Sequence, residues 1–333
     1  TALRLSPMLM GSHSWARSLN PGGGQTMKAV PGEAVAMYDR FIVAVDDSED
    51  ARAAADAGFD LAARFDAPVE VIHVLKRTVL DSLRSAADRE RLREDREALL
   101  ESVAERAADR DLRVKTRVLE GRPARRIATY AAQRPGSVVV LGRQGRSAVS
   151  KRVLGGVTER VLGRGMAPVL VHPGADGAAD PAPGPLLVPT DGSENAREAY
   201  PYASTLAEDA DVGVHLLGVL DVQKAGGVFN AGGLDREHLR NLEDEWTSLV
   251  DAEREQLAAA AATPAEVQTA VRRTTDFEGV SGAIVDYVHE SGVGTVVMGS
   301  HGRSNVGQQL LGSVTRLVLR TVDVPVLVVP RAD

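Results

Sequence analysis

The sequence contains one long segment twice. Residues 40–75 align without a gap with residues 185–220 at an offset of 145, and the residues around Gly142 align with those around Gly299 at an offset of 157. The second copy therefore carries 12 more residues, the difference between the two offsets, and most of them fall in a Gly-rich segment at 223–233 that we expect to form a mobile loop. A repeat of this length indicates two copies of one domain.

The repeat divides the chain into four parts. Residues 1–37 lack a helical or strand period and are rich in Gly, Ser and Pro, which predicts a flexible extension or a start-site artefact upstream of Met37. A first domain follows at 38–173 and a second domain at 185–331. Between them, residues 174–184 carry prolines and small side chains without an apolar period, which is typical of a linker.

Short runs of β-branched and apolar residues alternate with longer amphipathic stretches in both copies. Strands of the first copy are predicted at 40–45, 69–75, 113–119, 137–142 and 168–172. Strands of the second copy are predicted at 185–190, 212–219, 266–272, 294–299 and 325–329, with helices near 194–208, 235–262, 279–291 and 312–321. This alternation predicts an α/β fold with two tandem, open, mostly parallel five-stranded sheets, each Rossmann-like with helices on both faces.

Composition narrows the classes of function. Lys and Arg total 39 against 46 Asp and Glu, so the net charge of -7 argues against a broad cationic face for nucleic acid. The chain has no cysteine, which excludes disulfides, thiolate nucleophiles and cysteine-ligated metal centres. No run of about 18 apolar residues occurs, and residues 1–36 lack the apolar core of a secretory signal, so we expect a cytoplasmic protein without membrane insertion.

Two loops look most alike between the copies, and each follows a predicted strand. Ligands of an open parallel sheet bind beyond the carboxyl ends of the strands where the winding direction reverses, so the loops after the first and fourth strands should flank one crevice. In the second copy the first loop begins with Asp191, and the other reads Gly299-x2-Gly302-x9-Gly312-Ser313. Glycines let backbone N–H groups approach a ligand, and the start of the next helix offers free donors, which together suit a phosphate.

Structural roles are an alternative to ligand binding for several of these residues. Glycines after a strand are also common turn residues. The hydroxyl of Ser313 is placed either to cap the final helix or to hydrogen-bond a phosphate oxygen, and Ser48 and Ser193 are placed to cap the helices that follow them. The carboxylates of Asp46 and Asp191 either take part in such caps or accept hydrogen bonds from a ribose hydroxyl or an exocyclic amine.

The glycine pattern, the strand that ends in Asp-x-Ser and the apolar terminal strand together resemble the ATP-binding branch of the universal stress protein family, whose fold is adenine nucleotide alpha-hydrolase-like. The resemblance covers both copies. It implies ATP as the ligand, with AMP or ADP as alternatives and Mg²⁺ as an optional companion. By position, the residues implied to hold adenine and ribose are Pro189, Thr190, Asp191 and Val219. Those implied to line the phosphate loop and its end are Met298, Gly299, His301, Gly302, Gly312, Ser313 and Val314.

The first copy keeps most of this set. Its counterparts are Ala44, Val45, Asp46, Val74, Gly142, Gly145 and Gly155. The next residue is Gly156, so the hydroxyl of the pattern is absent. One lost hydrogen bond to a charged group costs on the order of 1.5–3 kcal/mol, or roughly 10- to 150-fold in affinity, so we expect a nucleotide-shaped site that binds ATP more weakly.

No catalytic apparatus is visible, since the segment 299–312 has no Walker lysine and no nucleophile–base arrangement can be argued. The leading hypothesis is a nucleotide-dependent stress-response or regulatory protein. One alternative is an adenine-nucleotide hydrolase with slow ATP turnover, at most a weak ATPase. The loops at 45–48 and 190–193 lack the SGGxDS-like sequence of such enzymes, which counts against it. Another alternative is an interaction module with silent nucleotide sites.

The last strand of each copy, within 168–173 and 325–330, is apolar and would need a cover at a sheet edge. In the resembling family these strands pair across a dimer, which implies that the tandem chain forms an internal pseudo-dimer. A further homodimer stays open. The sequence identifies neither the stress signal nor a protein partner.

Overall fold

A computed structural model describes the parts of the chain that carry the repeat. The described residues are 37–76, 85–145, 153–175, 184–222, 236–260, 266–274, 279–302 and 311–331. The predicted extension apart from Met37, most of the predicted linker and the whole Gly-rich segment at 223–233 lie outside these ranges. No helix within them is long and apolar enough to span a membrane.

The first half alternates strands and helices. Its strands are β1 (Arg40–Ala44), β2 (Val69–Lys76), β3 (Val114–Gly121), β4 (Ser137–Gly142) and β5 (Val169–His172). Its helices are α1 (Glu49–Arg64), α2 (Ala86–Glu105), α3 (Pro123–Ala132) and α4 (Gly156–Leu162), with a 3-10 turn at Ala108–Arg110.

The second half repeats this order. Its strands are β6 (Leu186–Thr190), β7 (Val214–Asp221), β8 (Val267–Thr274), β9 (Thr295–Gly299) and β10 (Val326–Val329). Its helices are α5 (Glu194–Arg197), α6 (Ala199–Ala210), α7 (Arg236–Ala258), α8 (Gly279–Glu290) and α9 (Ser313–Thr321). All ten strands lie within two residues of their predicted positions.

One predicted helix is divided in two. The prediction placed a single helix at 194–208, whereas α5 ends at Arg197 and α6 begins at Ala199. Pro201 has no N–H to donate to the carbonyl of Arg197, and its ring would collide with that carbonyl in a continuous helix. The equivalent residue of the first half is Asp56, and α1 runs unbroken there.

The prediction of two separate five-stranded sheets is wrong, because the strands form one sheet of ten. Its order is β3-β2-β1-β4-β5-β10-β9-β6-β7-β8. Strands within each half pair in parallel, and the halves join where β10 pairs antiparallel with β5. At this join Leu327 lies opposite Leu170, and Val326 lies opposite Val171. The α/β class and the parallel pairing within each half agree with the prediction.

The burial of the strands follows their place in the sheet. All residues of the inner strands β4, β5, β9 and β10 are buried, as expected for parallel strands covered by helices on both faces. The edge strands β3 and β8 instead expose Lys, Arg, Thr or Gln side chains along much of their length. Charged and polar side chains on an edge oppose further strand addition.

Two hydrophobic cores lie against the sheet, and both contain residues of both halves. One core includes Phe41 and Phe59 of the first half together with Leu186 and Leu206 of the second. The other packs against the remaining face. Since residues alternate between faces along a strand, neighbours such as Ile42 and Phe41 enter different cores. The two halves therefore share their hydrophobic interior.

Polar contacts also cross between the halves. The Nη1 atom of Arg143 donates a hydrogen bond to the carbonyl of Val322 at 2.9 Å. The Nε atom of Arg316 lies 3.0 Å from Oε1 of Glu159. Glu159 and Arg316 occupy equivalent positions of the repeat, at the offset of 157, so one sequence position carries opposite charges in the two halves.

We expect a charge-reversal cycle to detect this pair. Arg316→Glu places two carboxylates together and should lower the free energy of unfolding, whereas Glu159→Arg with Arg316→Glu restores an opposite pair. The side chains are 39% and 40% exposed, so the coupling energy should be only about 0.2–1 kcal/mol. Urea unfolding of the wild type, both single variants and the double variant measures it. Strictly additive effects would contradict the pairing.

Candidate functional site

The topology brings the two predicted loops together in each half. Strand β6 lies between β7 and β9, and β1 lies between β2 and β4. The winding direction therefore reverses at β6 and at β1, and the loops that follow these strands lie beside the loops that follow β9 and β4. Each half thus has a crevice at the carboxyl edge of the sheet.

A carboxylate of the first loop packs against a glycine of the second. In the second half, Oδ1 of Asp191 accepts a hydrogen bond from the backbone N–H of Ser193 at 3.0 Å. A Cβ atom on Gly302 would stand 2.6 Å from Oδ2 of the same carboxylate. The first half repeats this contact between Asp46 and Gly145, at 2.7 Å. A side chain at either glycine would displace the carboxylate from its crevice.

The leading glycine of each loop has a packing role. A Cβ atom on Gly299 would collide with the carbonyl oxygen of Asn195 in α5, and one on Gly142 would stand 3.0 Å from the carbonyl oxygen of Asp50 in α1. Side chains at these positions would force the loop away from the helix beside it. Packing alone thus explains these two glycines, and a ligand is not needed to account for them.

The helices around each crevice begin in two different ways. The side chains of Ser48 and Ser193 cap α1 and α5, and each accepts a hydrogen bond from a first-turn N–H group. Helices α4 and α9 instead have Gly155 and Gly312 at the N-cap, with no capping side chain. The helix-cap alternative for Ser313 is therefore wrong, because Ser313 is the first residue inside α9. Within the described part of the chain, no side-chain oxygen caps the first-turn N–H groups of α9, which leaves these donors for a ligand.

The second-half crevice is a cavity of about 500 Å³. All eleven predicted residues line it: Pro189, Thr190, Asp191, Val219, Met298, Gly299, His301, Gly302, Gly312, Ser313 and Val314. Its walls include the buried side chains of Val219 and Met298. Asp191, His301 and the first residues of α9 line the same cavity. The cavity therefore combines apolar and polar lining residues.

The first-half crevice is a smaller cavity of about 210 Å³. All eight predicted residues line it: Ala44, Val45, Asp46, Val74, Gly142, Gly145, Gly155 and Gly156. His73 also lines this cavity, and its Nδ1 lies 2.8 Å from the carbonyl oxygen of Val45. The equivalent residue of the second half is Gly218, which has no side chain to occupy the space. The imidazole thus helps to explain why the first cavity is smaller.

Sequence reasoning missed several residues of the second cavity. Trp246 of α7, Asp221 at the end of β7 and Ile284 of α8 all line it. The backbone of Gly218 lets α7 approach, since a Cβ atom there would stand 2.5 Å from Val250 and 3.2 Å from the Trp246 ring. Trp246 lies on the apolar face of a predicted helix, but no motif indicated that this face would reach the second-half crevice.

A buried hydrogen-bond network supports the wall of the second cavity. The hydroxyl of Tyr200 lies 2.8 Å from Oγ1 of Thr190 and donates to Oε2 of Glu253 at 2.7 Å. Arg197 holds the same carboxylate with Nε and Nη2. The first half has Val45 and Ala55 at the positions of Thr190 and Tyr200, so it cannot form this network.

The network sets the charge states of its members. Burial raises the pKa of the Glu253 carboxyl. Hydrogen bonds from Arg197 and Tyr200 lower this pKa by more than burial raises it, so the pKa lies below its ordinary value. Burial raises the pKa of the Tyr200 hydroxyl well above its ordinary value. A neutral tyrosine therefore links the ionised Glu253 on α7 to Thr190 on β6.

His301 is the one histidine that the prediction placed in the phosphate loop. Its Nδ1 lies 2.9 Å from Oγ of Ser300. Burial lowers the pKa of the imidazole below its ordinary value of 6.5, so the ring is mainly neutral at pH 7 in the free protein. Among the described residues, no group of three or more His, Asp or Glu side chains forms a metal site.

The fold and the two crevices define the class of the protein, which is an α/β protein with a crevice at the point in each half where the winding direction reverses. The family model for the universal stress protein family matches residues 37–173 and 184–330. The chain therefore belongs to the universal stress protein family, with two tandem domains.

Relatives and solved structures agree with this assignment. A universal stress protein of Mycobacterium tuberculosis strain H37Rv is 31% identical over 225 residues, which are 66% of this chain and 70% of the relative. A single-domain-sized match to a universal stress protein of Methanocaldococcus jannaschii is 29% identical and covers 40% of this chain and 82% of the relative. The fold is also that of a universal stress protein from Archaeoglobus fulgidus, with a TM-score of 0.64 at 22% identity over 89% of this chain and 98% of that one.

We expect Tyr200→Phe to test the buried network. The substitution removes one hydrogen bond to the ionised Glu253 and leaves Thr190 Oγ1 without this partner. The free energy of unfolding should fall by about 1.5–3 kcal/mol, the range for a hydrogen bond to a charged group. Chemical denaturation measures it, with Tyr202→Phe as a control, because the hydrogen bonds to Glu253 among the described residues come from Arg197 and Tyr200 and not from Tyr202. A change of similar size in both variants would contradict the role of Tyr200.

Stability should also fall in mild acid. Burial lowers the pKa values of His73, His215 and His301 below 6.5, so the unfolded chain binds more protons than the folded chain between those lowered values and 6.5. The contribution of these three histidines to the free energy of unfolding is therefore fully present above about pH 6.5, and it decreases as the pH falls through this window. Urea unfolding at pH 7.5 and 5.5 checks the direction, and His215→Gln should reduce the difference. An unchanged or higher free energy of unfolding at pH 5.5 would contradict the lowered pKa values of these histidines.

Proposed function

We propose that the second-half cavity binds an adenine nucleotide, with ATP as the preferred ligand, and that the protein acts as a nucleotide-dependent stress-response or regulatory protein. One observation carries the proposal. One cavity is lined by apolar side chains, by the carboxylate of Asp191 and by the start of α9, where no side chain among the described residues caps the helix. A nucleotide has the matching set of groups, which are an apolar ring, a sugar with hydroxyl groups and an anionic tail.

Each part of the cavity suits one part of the nucleotide. Val219, Met298 and Ile284 present apolar surface to a planar base. The carboxylate of Asp191 accepts hydrogen bonds and suits ribose hydroxyls. Backbone N–H groups at Ser313 and Val314, with the Ser313 hydroxyl, suit phosphate oxygens at the positive end of the helix dipole.

Charge places a limit on how such a site can work. None of the described lining residues is Lys or Arg, and two of them are Asp. The chain as a whole carries a net charge of -7. Within the described lining, an anion can therefore be held by backbone donors and the Ser313 hydroxyl, and not by a side-chain cation. Mg²⁺ is a natural companion in this proposal, because it would offset the charge of the phosphates beside Asp191.

The first-half cavity is proposed as the weaker site. Its volume of about 210 Å³ lies below the roughly 300–1,000 Å³ that is usual for small-molecule pockets. It also lacks the hydroxyl at Gly156 and contains the His73 ring. These differences favour occupancy of the second half at low ATP concentration.

Paired alanine variants should locate the site, because the two halves contain the same contact. Asp191→Ala and Asp46→Ala each remove a carboxylate that accepts a hydrogen bond from a serine N–H in the turn after a strand. By isothermal titration, Asp191→Ala should weaken ATP binding about 10- to 150-fold, whereas Asp46→Ala should leave the strong site within about twofold.

The outcome is decisive in both directions. Failure of the wild type to bind ATP, ADP or AMP would overturn the proposed function and favour a module with silent sites. Loss of strong binding in Asp46→Ala alone would move the site to the first half. Phosphate release measured on the same samples distinguishes binding from slow turnover, and circular dichroism melting confirms that each variant is folded.

A further inference from the structure

A second large cavity lies between the halves, apart from both crevices. It has a volume of about 500 Å³ and is lined by residues of α3, α4, the turn before β5, and the start of α9. It shares no lining residue with the two crevices at the carboxyl edge. We call it the arginine groove after the four arginines that line it: Arg125, Arg160, Arg164 and Arg316.

The arginine groove concentrates positive charge on an acidic protein. Arg316 is paired with Glu159, which also lines the groove. Arg125, Arg160 and Arg164 are exposed, and no carboxylate among the described residues forms an ion pair with them. Among the described lining residues there are thus four arginines and one carboxylate, although the whole chain has a net charge of -7.

The repeat supplies an internal comparison for this charge. Tyr130 and Ile127 of α3 align with Tyr287 and Ile284 of α8, so the offset of 157 holds for these helices as well. At that offset the counterparts of Arg125, Arg160, Arg164 and Met166 are Gly282, Leu317, Thr321 and Asp323. The positions equivalent to all ten residues that line the groove carry two arginines and three carboxylates. The fold can therefore be built without this cationic cluster, and the cluster belongs to one side of the molecule only.

The floor of the groove is apolar. Ala128 and Leu311 are buried there, and Met166 is 52% exposed at its margin. A volume of about 500 Å³ is within the usual range for small-molecule pockets. Guanidinium groups present planar, paired donors that match phosphate oxygens, and their charge does not vary with physiological pH.

We propose that the arginine groove binds a small organic molecule that carries two or more phosphate groups. The three guanidinium groups without carboxylate partners hold the phosphates, and the apolar floor holds the carbon skeleton. A volume of about 500 Å³ matches a small molecule better than a protein segment. This site shares no lining residue with the proposed nucleotide site of the second half, so the two binding proposals are tested separately.

The position of the groove gives the ligand a structural effect. Arg125, Arg160 and Arg164 belong to the first half, whereas Leu311 and Arg316 belong to the second. A ligand held by both halves binds only when they are associated, so it stabilises their association in proportion to its free concentration. The groove thus offers a way for a phosphorylated molecule to strengthen the contact between the domains.

Isothermal titration with inorganic tripolyphosphate tests the groove on the full chain. The variant combines Arg125→Gln with Arg164→Gln. Arg160 is left unchanged because its Nη2 lies beside Gly156, 3.1 Å from the position that a Cβ atom would take there, and Gly156 lines the first-half crevice. The matched control is Arg89→Gln with Arg91→Gln, since both side chains are exposed on α2 and the change in net charge is the same.

The expected result is specific to the groove. The wild type should bind tripolyphosphate, the Arg125/Arg164 variant should bind at least about tenfold more weakly, and the α2 control should stay within about twofold. Equal weakening in both variants, or no binding by the wild type, overturns the proposal. Binding of a poly-glutamate peptide that needs Arg125 and Arg164, without binding of tripolyphosphate, also overturns it and indicates an acidic protein segment as the occupant.

Discussion

The antiparallel pairing of β5 with β10 is the interaction on which the rest of the molecule depends. Both strands are wholly buried and apolar apart from His172, so either one left at an edge would expose backbone donors and acceptors beside a hydrophobic surface. Pairing them turns two small sheets into one and lets two cores continue across the join. The ion pair of Glu159 with Arg316 and the arginine groove exist only because this join places α4 beside α9.

Local signals in the sequence predict the elements of the fold well and their assembly less well. The eight strands other than β3 and β8 could be predicted because parallel strands covered on both faces form short apolar runs, and the repeat showed each run twice. The single ten-stranded sheet could not be predicted, because the pairing of two sheet edges depends on tertiary contacts that leave no periodic pattern in the sequence. The interruption between α5 and α6 had a readable cause in Pro201, which helical spacing alone did not take into account.

The same distinction applies to the candidate site. Its loop residues could be predicted because the glycine spacing and the winding reversal are fixed by local sequence and topology. Trp246, Tyr200 and Glu253 could not, since the first half offers no matching residues for comparison and their roles depend on how α7 packs. The size of each cavity depends on similar details, such as the exchange of His73 for Gly218 between the halves.

The opposite charges of Glu159 and Arg316 have a consequence for how chains recognise one another. Two first halves brought together by their last strands would set glutamate against glutamate, and two second halves would set arginine against arginine. Like-with-like assembly is therefore disfavoured, while a first half accepts any second half, including that of a neighbouring chain. The covalent connection between the halves then selects the partner, because it keeps the second half of the same chain at a high local concentration and so opposes domain swapping.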